Sequence, residues 1–358
     1  MPRAVLDMMD RRPIWAMPSW VPDDIRSALP TGWELLVVDE ATDGSGDGAA
    51  RVSPAVLDAA SRAEIYFGYG IPAELLDAAP GLRWVHSGAA GVGASLSPIM
   101  LARDVVFTNS AGVHAAPMAE TVLAMVLFFG RGLDLAVANQ REARWDTGPY
   151  YVSGSPLTEL SSLTVGIVGF GGIGREVARR VASLGAEVIA VKRTPARATD
   201  ADLTPVSGGE SLREQIEILH GTSGLHEVLA KSDVLVLAAP DTSETRGMLD
   251  AEALGRMKEG ALLINVARGK LVDEKVVLDA LVAGRLRGVG LDVVSKEPLA
   301  LDHPFWAHPR ALITPHVSAV TRGFWRRETD LILHNLDRYL QGAPEAEWRN
   351  VVNKAEGY

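Results

Sequence analysis

Residues Gly169-Phe170-Gly171-Gly172-Ile173-Gly174 follow the apolar run 164–168 and open a helical pattern through Ala178 and Val181. Strand, glycine turn and helix in that order suit a pyrophosphate. Gly169 allows the tight turn, Gly171 lets the backbone approach the anion, and Gly174 lets helix and strand pack closely. The amides of Gly172 and Ile173 then face the phosphate at the positive helix end. Three further segments carry groups for acid, base or anion chemistry: 265–269 with Arg268, 292–298 with Glu297, and Thr314-Pro315-His316. A guanidinium such as Arg268 can hold a carboxylate by two-point contact. His316 can donate a proton, and Glu297 can orient its ring and favour its charged form. Singly, Arg268 reads equally as a capping or salt-bridge residue, Glu297 as a surface turn and His316 as a loop histidine. All three behind predicted strands read as one site.

Roughly 20 residues past the glycines, NAD-binding chains place a carboxylate on the ribose 2′-hydroxyl. This chain has Lys192 and Arg193 there. Two cations suit a 2′-phosphate, so NADP(H) is expected to be preferred, with NAD(H) left open. The competing reading makes both residues solvated charges at a strand end.

The elements that must position these groups show as alternating patterns. Between Trp33 and Thr108, apolar runs at 34–38, 64–67, 83–86 and 105–107 alternate with helical stretches near Val56, Ala73 and Leu101. That alternation predicts parallel β/α units. A long apolar helix over 115–131 and a Gly, Pro and Tyr-containing loop over 145–156 mark a crossing between domains. A second series predicts six strands, near 165–168, 188–191, 234–238, 261–265, 288–293 and 311–314, which suit a complete dinucleotide fold. The stretch 195–224, with an amphipathic segment at 212–219, is long for a connection and is read as an insertion. After Pro315 one helical pattern, 318–341, is too little for a domain and is expected to return to the first.

At about 150 residues per domain, 358 residues predict two domains. Apolar residues at 47% and charged residues at 22% fit a folded chain. The net charge of −10 argues against nucleic acid and anionic membranes as partners. Absence of cysteine excludes disulfides, thiolate zinc sites and cysteine nucleophiles, and points to a reducing cytoplasm. No metal site is expected. The most apolar stretch, 121–129, is far short of the about 18 residues that span a bilayer, and no signal pattern opens the chain.

From about Trp33 to about Leu340 the chain resembles the D-isomer-specific 2-hydroxyacid dehydrogenase family, in its NADP-preferring glyoxylate/hydroxypyruvate reductase-like branch. Beyond the glycines, the resemblance rests on Asn109-Ser110-Ala111-Gly112-Val113-His114 with Ala119-Glu120, Pro240-Asp241-Thr242-Ser243-Glu244-Thr245-Arg246-Gly247, the Arg268 and Glu297 segments, and His303-Pro304 before Thr314-Pro315-His316. It implies a catalytic triad of Arg268, Glu297 and His316. It also implies an α/β fold of two Rossmann-like doubly wound parallel-sheet domains. A dinucleotide-binding domain, 116–317, is inserted into a flavodoxin-like substrate domain, 1–115 with 318–358. Asp292 is implied to contact the nicotinamide amide, Pro240 to line the cofactor groove with Val266 on the same side, and the amides of Ala90, Gly91 and Val92 to bind the substrate carboxylate with Arg268. Gly93 departs from the family, which commonly shows Asp there, and the 195–224 stretch is a second departure.

The expected reaction is hydride transfer between NADP(H) and a small D-2-hydroxy or 2-keto acid of the glyoxylate or hydroxypyruvate type. A homodimer is expected through the 115–131 helix and the 139–151 arm. Two rivals stand beside it: a non-enzymatic, corepressor-like dinucleotide sensor, and a short phosphoglycerate dehydrogenase, disfavoured by the lack of a regulatory domain after Leu340. Glu297 argues against a formate dehydrogenase, which needs no proton relay.

Overall fold

The inner apolar runs of the first series become strands buried on both faces, as a parallel sheet covered by helices requires, while the edge run 34–37 is only half-buried. The computed structural model describes residues 1–41, 50–193 and 215–357. Strands β1 (Arg3–Asp7), β2 (Glu34–Val37), β3 (Ile65–Gly68), β4 (Trp84–Ser87) and β5 (Val106–Asn109) form one parallel sheet in the order β2-β1-β3-β4-β5. This is the flavodoxin-like doubly wound order. The sequence reading began at Trp33 and missed β1, which lies inside the sheet between β2 and β3. Its signal was the short run Ala4-Val5-Leu6, all fully buried.

Helix Phe324–Leu340 belongs to the same unit, which comprises Met1–His114 and Val320–Tyr358. Its Phe324, Trp325, Leu331, Ile332 and Leu336 pack in one core with Ala4, Leu6, Ile65, Phe67 and Trp84. The chain then comes back along β5, where Val351 bridges Thr108 and the Val352 amide donates to the Phe107 carbonyl at 2.8 Å.

The second unit, Ala115–Ala319, holds β6 (Thr164–Val168), β7 (Glu187–Lys192), β8 (Ile216–His220), β9 (Val234–Leu237), β10 (Ala261–Asn265), β11 (Leu286–Leu291) and β12 (Ala311–Ile313). All are parallel, in the order β12-β11-β10-β9-β6-β7-β8. Counted from β6, this is the dinucleotide-binding order 3-2-1-4-5-6 with one strand added beyond the sixth. The expectation of six strands is therefore corrected to seven. The missed one is β8, and the helix Gly221–Lys231 begins directly after it. The end of the stretch read as an insertion is thus the third strand of the fold, while its residues 195–214 lie outside the described residues.

Helix Ala115–Gly130 buries Met118, Val122, Met125, Val126 and Phe129 among residues of helix Gly172–Ser183 and the second sheet. Leu123, Leu127 and Phe128 are only half-buried, Leu123 and Phe128 still packing against the margin of that core. Helix Leu133–Arg141 follows, held to β11 by a two-point ion pair from Arg287 to the buried Asp134 at 2.7 and 2.8 Å. Beyond it Trp145 and Tyr151 are almost fully exposed. No single helix among the described residues is long and apolar enough to cross a membrane.

Candidate active site

Adjacent parallel strands end side by side, so residues just past β10, β11 and β12 must be neighbours. Arg268, Glu297 and His316 occupy those three loops. After β10, the Asn265 side chain folds the turn: its Oδ1 accepts the Ala267 amide at 3.0 Å and its Nδ2 donates to the Arg268 carbonyl at 3.1 Å. Arg268 is half-buried and donates from Nη1 to the Ala267 carbonyl at 2.8 Å. The next residue, Gly269, lies flush against the following loop, since a Cβ there would stand 1.9 Å from the Val294 carbonyl carbon. Only glycine permits this approach, which sets the Arg268 turn against the loop that carries Glu297.

That loop is fastened from below by Glu274, whose carboxylate accepts the Ser295 amide at 2.5 Å and hydroxyl at 2.9 Å. Glu297 Oε1 accepts the Val294 amide at 3.3 Å, and Oε2 lies 2.9 Å from His316 Nδ1. With Nδ1 engaged, His316 Nε2 has no partner among the described residues. The pair is open to solvent, with side-chain exposures of 42% and 39%. His316 has the left-handed φ of 54°, uncommon for a side-chain-bearing residue. Asp292 holds it there: its carbonyl accepts the His316 amide at 2.8 Å, and its buried carboxylate accepts the Thr314 hydroxyl, the Val317 amide and both Ser318 donors. The nicotinamide contact expected of Asp292 would have to share oxygens already engaged in holding this loop.

The glycine loop follows β6, at the point where strand order reverses between β6 and β9. Ligands of doubly wound sheets bind at such a switch point. Gly169 takes φ 98°, and a Cβ on it would meet the Ala239 amide at 2.6 Å. Gly174 packs so closely that a Cβ would come within 2.1 Å of the Gly169 carbonyl oxygen. Gly171 is different, having open space within 4 Å of its missing Cβ. It caps helix Gly172–Ser183 with no side chain, so the Gly172 and Ile173 amides have none bonded to them from the cap. The donors and the clearance fit a pyrophosphate. Pro240 is exposed just beyond β9, and Val266 is buried just beyond β10. Lys192 ends β7, and Arg193, its side chain about half exposed, lies 4.0 Å from Glu244.

In the first unit, the loop after β4 presents Ala90, Gly91 and Val92, whose amides have no partner among the described residues. Its carbonyls are fastened instead: Asn109 Nδ2 donates to the Ala90 carbonyl at 2.8 Å and the Ser110 amide to the Ala89 carbonyl at 3.3 Å. Sequence reasoning missed the fastening roles of Glu274, Ser295 and Asn109. Glu274 reads in sequence only as an acidic residue in a helix's first turn. Among the described residues no group of three or more side chains could hold a metal ion.

Fold and glycine loop together define a doubly wound, dinucleotide-binding α/β protein. Residues 123–318, more than half of the chain, match the family model of the D-isomer specific 2-hydroxyacid dehydrogenase, NAD binding domain. A hydroxypyruvate reductase of Blautia hydrogenotrophica is 30% identical over 79% of this chain and 82% of its own length. A D-3-phosphoglycerate dehydrogenase of Mycobacterium bovis is 36% identical over 70% of this chain, which spans only 44% of that relative. Among solved structures, the NADPH-dependent glyoxylate/hydroxypyruvate reductase of Sinorhizobium meliloti, in complex with NADP and sulfate, superposes with a TM-score of 0.75 at 26% identity, covering all of both chains. The chain belongs to the D-isomer specific 2-hydroxyacid dehydrogenase family.

Proposed function

We propose that the chain is an NADPH-dependent reductase of small 2-keto acids, of the glyoxylate or hydroxypyruvate type, yielding D-2-hydroxy acids. The observation that carries this reading is the His316–Glu297 pair, which engages Nδ1 and leaves His316 Nε2 without a partner among the described residues. A reduced nicotinamide, when bound, supplies hydride to the keto carbon. His316 Nε2–H gives a proton to the keto oxygen, so one bond order of C=O is lost and a hydroxyl is formed. Glu297 accepts from Nδ1–H and keeps Nε2 aimed outward. Arg268 polarises the carbonyl, and within the first unit the amides of Ala90, Gly91 and Val92 are the donors we assign to the carboxylate. A protein that only sensed the nucleotide would have no use for the open Nε2–H donor.

A panel of 2-keto acids with NADPH and NADH tests the reading, and absence of turnover with every acid would end it. The mycobacterial relative supports one rival, so oxidation of 3-phosphoglycerate belongs in the panel.

Support for NADP comes from Lys192 and Arg193 at the end of β7 and from the nucleotide in the Sinorhizobium structure. We expect a kcat/KM at least about tenfold higher with NADPH, since two charge-assisted contacts to a phosphate each contribute on the order of 1 kcal/mol or more. Lys192→Asp with Arg193→Ala should reverse the order. A native preference for NADH would overturn this assignment.

We further propose a cytoplasmic homodimer, the compartment following from the cysteine-free composition and the dimer from half-buried Leu123, Leu127 and Phe128 beside exposed Trp145 and Tyr151. Light scattering at micromolar concentration should give twice 38.2 kDa. Trp145→Ser with Tyr151→Ser should lower that mass, and a monomeric native protein would refute the dimer.

A further inference from the structure

A chain of polar side chains that the proposed chemistry does not use lies at the base of the 87–92 loop. Trp84, His86, Thr108, Ser110 and Glu328 are all fully buried. Trp84 Nε1 donates to Thr108 Oγ1 at 2.9 Å, which lies 2.8 Å from His86 Nδ1, while His86 Nε2 lies 2.9 Å from Glu328 Oε1. An indole N–H only donates, so Thr108 accepts from it and can give its own hydroxyl proton to His86 Nδ1. In that arrangement His86 carries its proton on Nε2 and gives that hydrogen bond to Glu328. The chain runs in one direction and ends on a carboxylate.

Ser110 is the second donor to that carboxylate, its hydroxyl lying 2.9 and 2.7 Å from the two oxygens of Glu328 and 3.0 Å from the Ser87 carbonyl. The Ser110 amide holds the Ala89 carbonyl at 3.3 Å, and neighbouring Asn109 holds that of Ala90 at 2.8 Å. In a trans peptide the N–H points opposite to the C=O. Fastening the carbonyls of Ala89 and Ala90 on the β5 side thus turns the amides of Ala90 and Gly91 the other way. Glu328 comes from the far end of the chain, on helix Phe324–Leu340, and locks Ser110 in place. A buried charge of this kind is a poor source of stability compared with apolar packing, which leaves geometry as what it contributes.

We propose that Glu328, acting through Ser110 and His86, is a positioning residue that aims the Ala90 and Gly91 amides at the substrate carboxylate. The inference rests on reading those amides as the carboxylate seat. Two substitutions break the node, Glu328→Ala and the smaller Ser110→Ala, which serves if the first fails to fold. Glu328→Gln restores it, because its carbonyl oxygen can accept from His86 and its amide can donate to Ser110.

The first measurement is hydrogen–deuterium exchange of the ligand-free protein. Both alanine variants should speed exchange of the hydrogen-bonded Gly88 and Ala89 amides of this loop at least tenfold, with β1 and β3 as protected as in the native protein and Glu328→Gln like the native protein. Unchanged exchange in the loop overturns the proposal, as does uniform loss of protection through the first sheet, which marks a merely structural role. The second is steady-state reduction of glyoxylate by NADPH. The KM for glyoxylate should rise at least tenfold in the alanine variants, with kcat falling less than threefold, the KM for NADPH unchanged and Glu328→Gln near native. A looser loop with an unchanged glyoxylate KM overturns the link to substrate. Failure of the native protein to reduce any keto acid defeats the proposed function instead, and the exchange experiment still decides the positioning.

Discussion

Replacing His316 by asparagine is expected to lower kcat for keto acid reduction by about 10³-fold, the scale of a positioned general acid. Asparagine keeps a polar side chain but cannot release a proton to the forming alkoxide. The Kd for NADPH, read by fluorescence titration, should stay within about twofold, because His316 follows β12 and the pyrophosphate donors follow β6. Glu297→Gln should cost less, about ten- to a hundredfold, since it weakens the hold on Nδ1 without removing the imidazole. A His316→Asn protein with kcat within tenfold of native would remove this residue from the mechanism. Equal losses in turnover and in nucleotide affinity would show instead that the loop, and not the proton, had been damaged.

Two glycines of one motif should fail in opposite ways. Gly174→Ala places a methyl 2.1 Å from the Gly169 carbonyl oxygen, a backbone atom with no side-chain torsion to relieve the clash. The helix or the turn must move, at a cost of about 1–3 kcal/mol or more, the range for overpacking. Thermal unfolding should shift downward by several degrees. Gly171→Ala meets nothing within 4 Å. Its backbone, at φ −87° and ψ −155°, accepts alanine without strain, so the unfolding temperature should hold. The methyl would stand where the pyrophosphate must approach, and the Kd for NADPH should weaken at least about tenfold. Stability and affinity moving together in both variants would contradict the separation of packing from binding within the motif.

What could be read from the sequence follows physical range. The glycine motif and the three loops around Arg268, Glu297 and His316 were legible because each is a short run beside a strand of ordinary length. Strand β8 was not, since Glu217 and His220 interrupt a short apolar run behind a stretch rich in Ser, Thr and Gly. Strand β1 was missed for a similar reason: five residues at a chain end give too little pattern to count. Backbone donors such as the Ala90, Gly91 and Val92 amides have no side-chain signature, so only resemblance pointed to them. The pairing of His86 with Glu328 could not be read at all, because the two are 242 positions apart and each alone resembles a surface residue.

The interruption of the first unit also sets a timetable for synthesis. The second unit is one continuous run, Ala115–Ala319, able to complete its seven-stranded sheet as soon as it has left the ribosome. The first is begun earlier and finished later: Ala4, Leu6, Ile65, Phe67 and Trp84 wait for Phe324, Trp325, Ile332 and Leu336 to complete their core. At translation rates of about 5–20 residues per second, that delay is roughly 10–40 s. During it an apolar sheet face stands open on the nascent chain. Chaperone demand should therefore fall on the part of the protein made first, and the inserted unit should be the first to resist protease during synthesis.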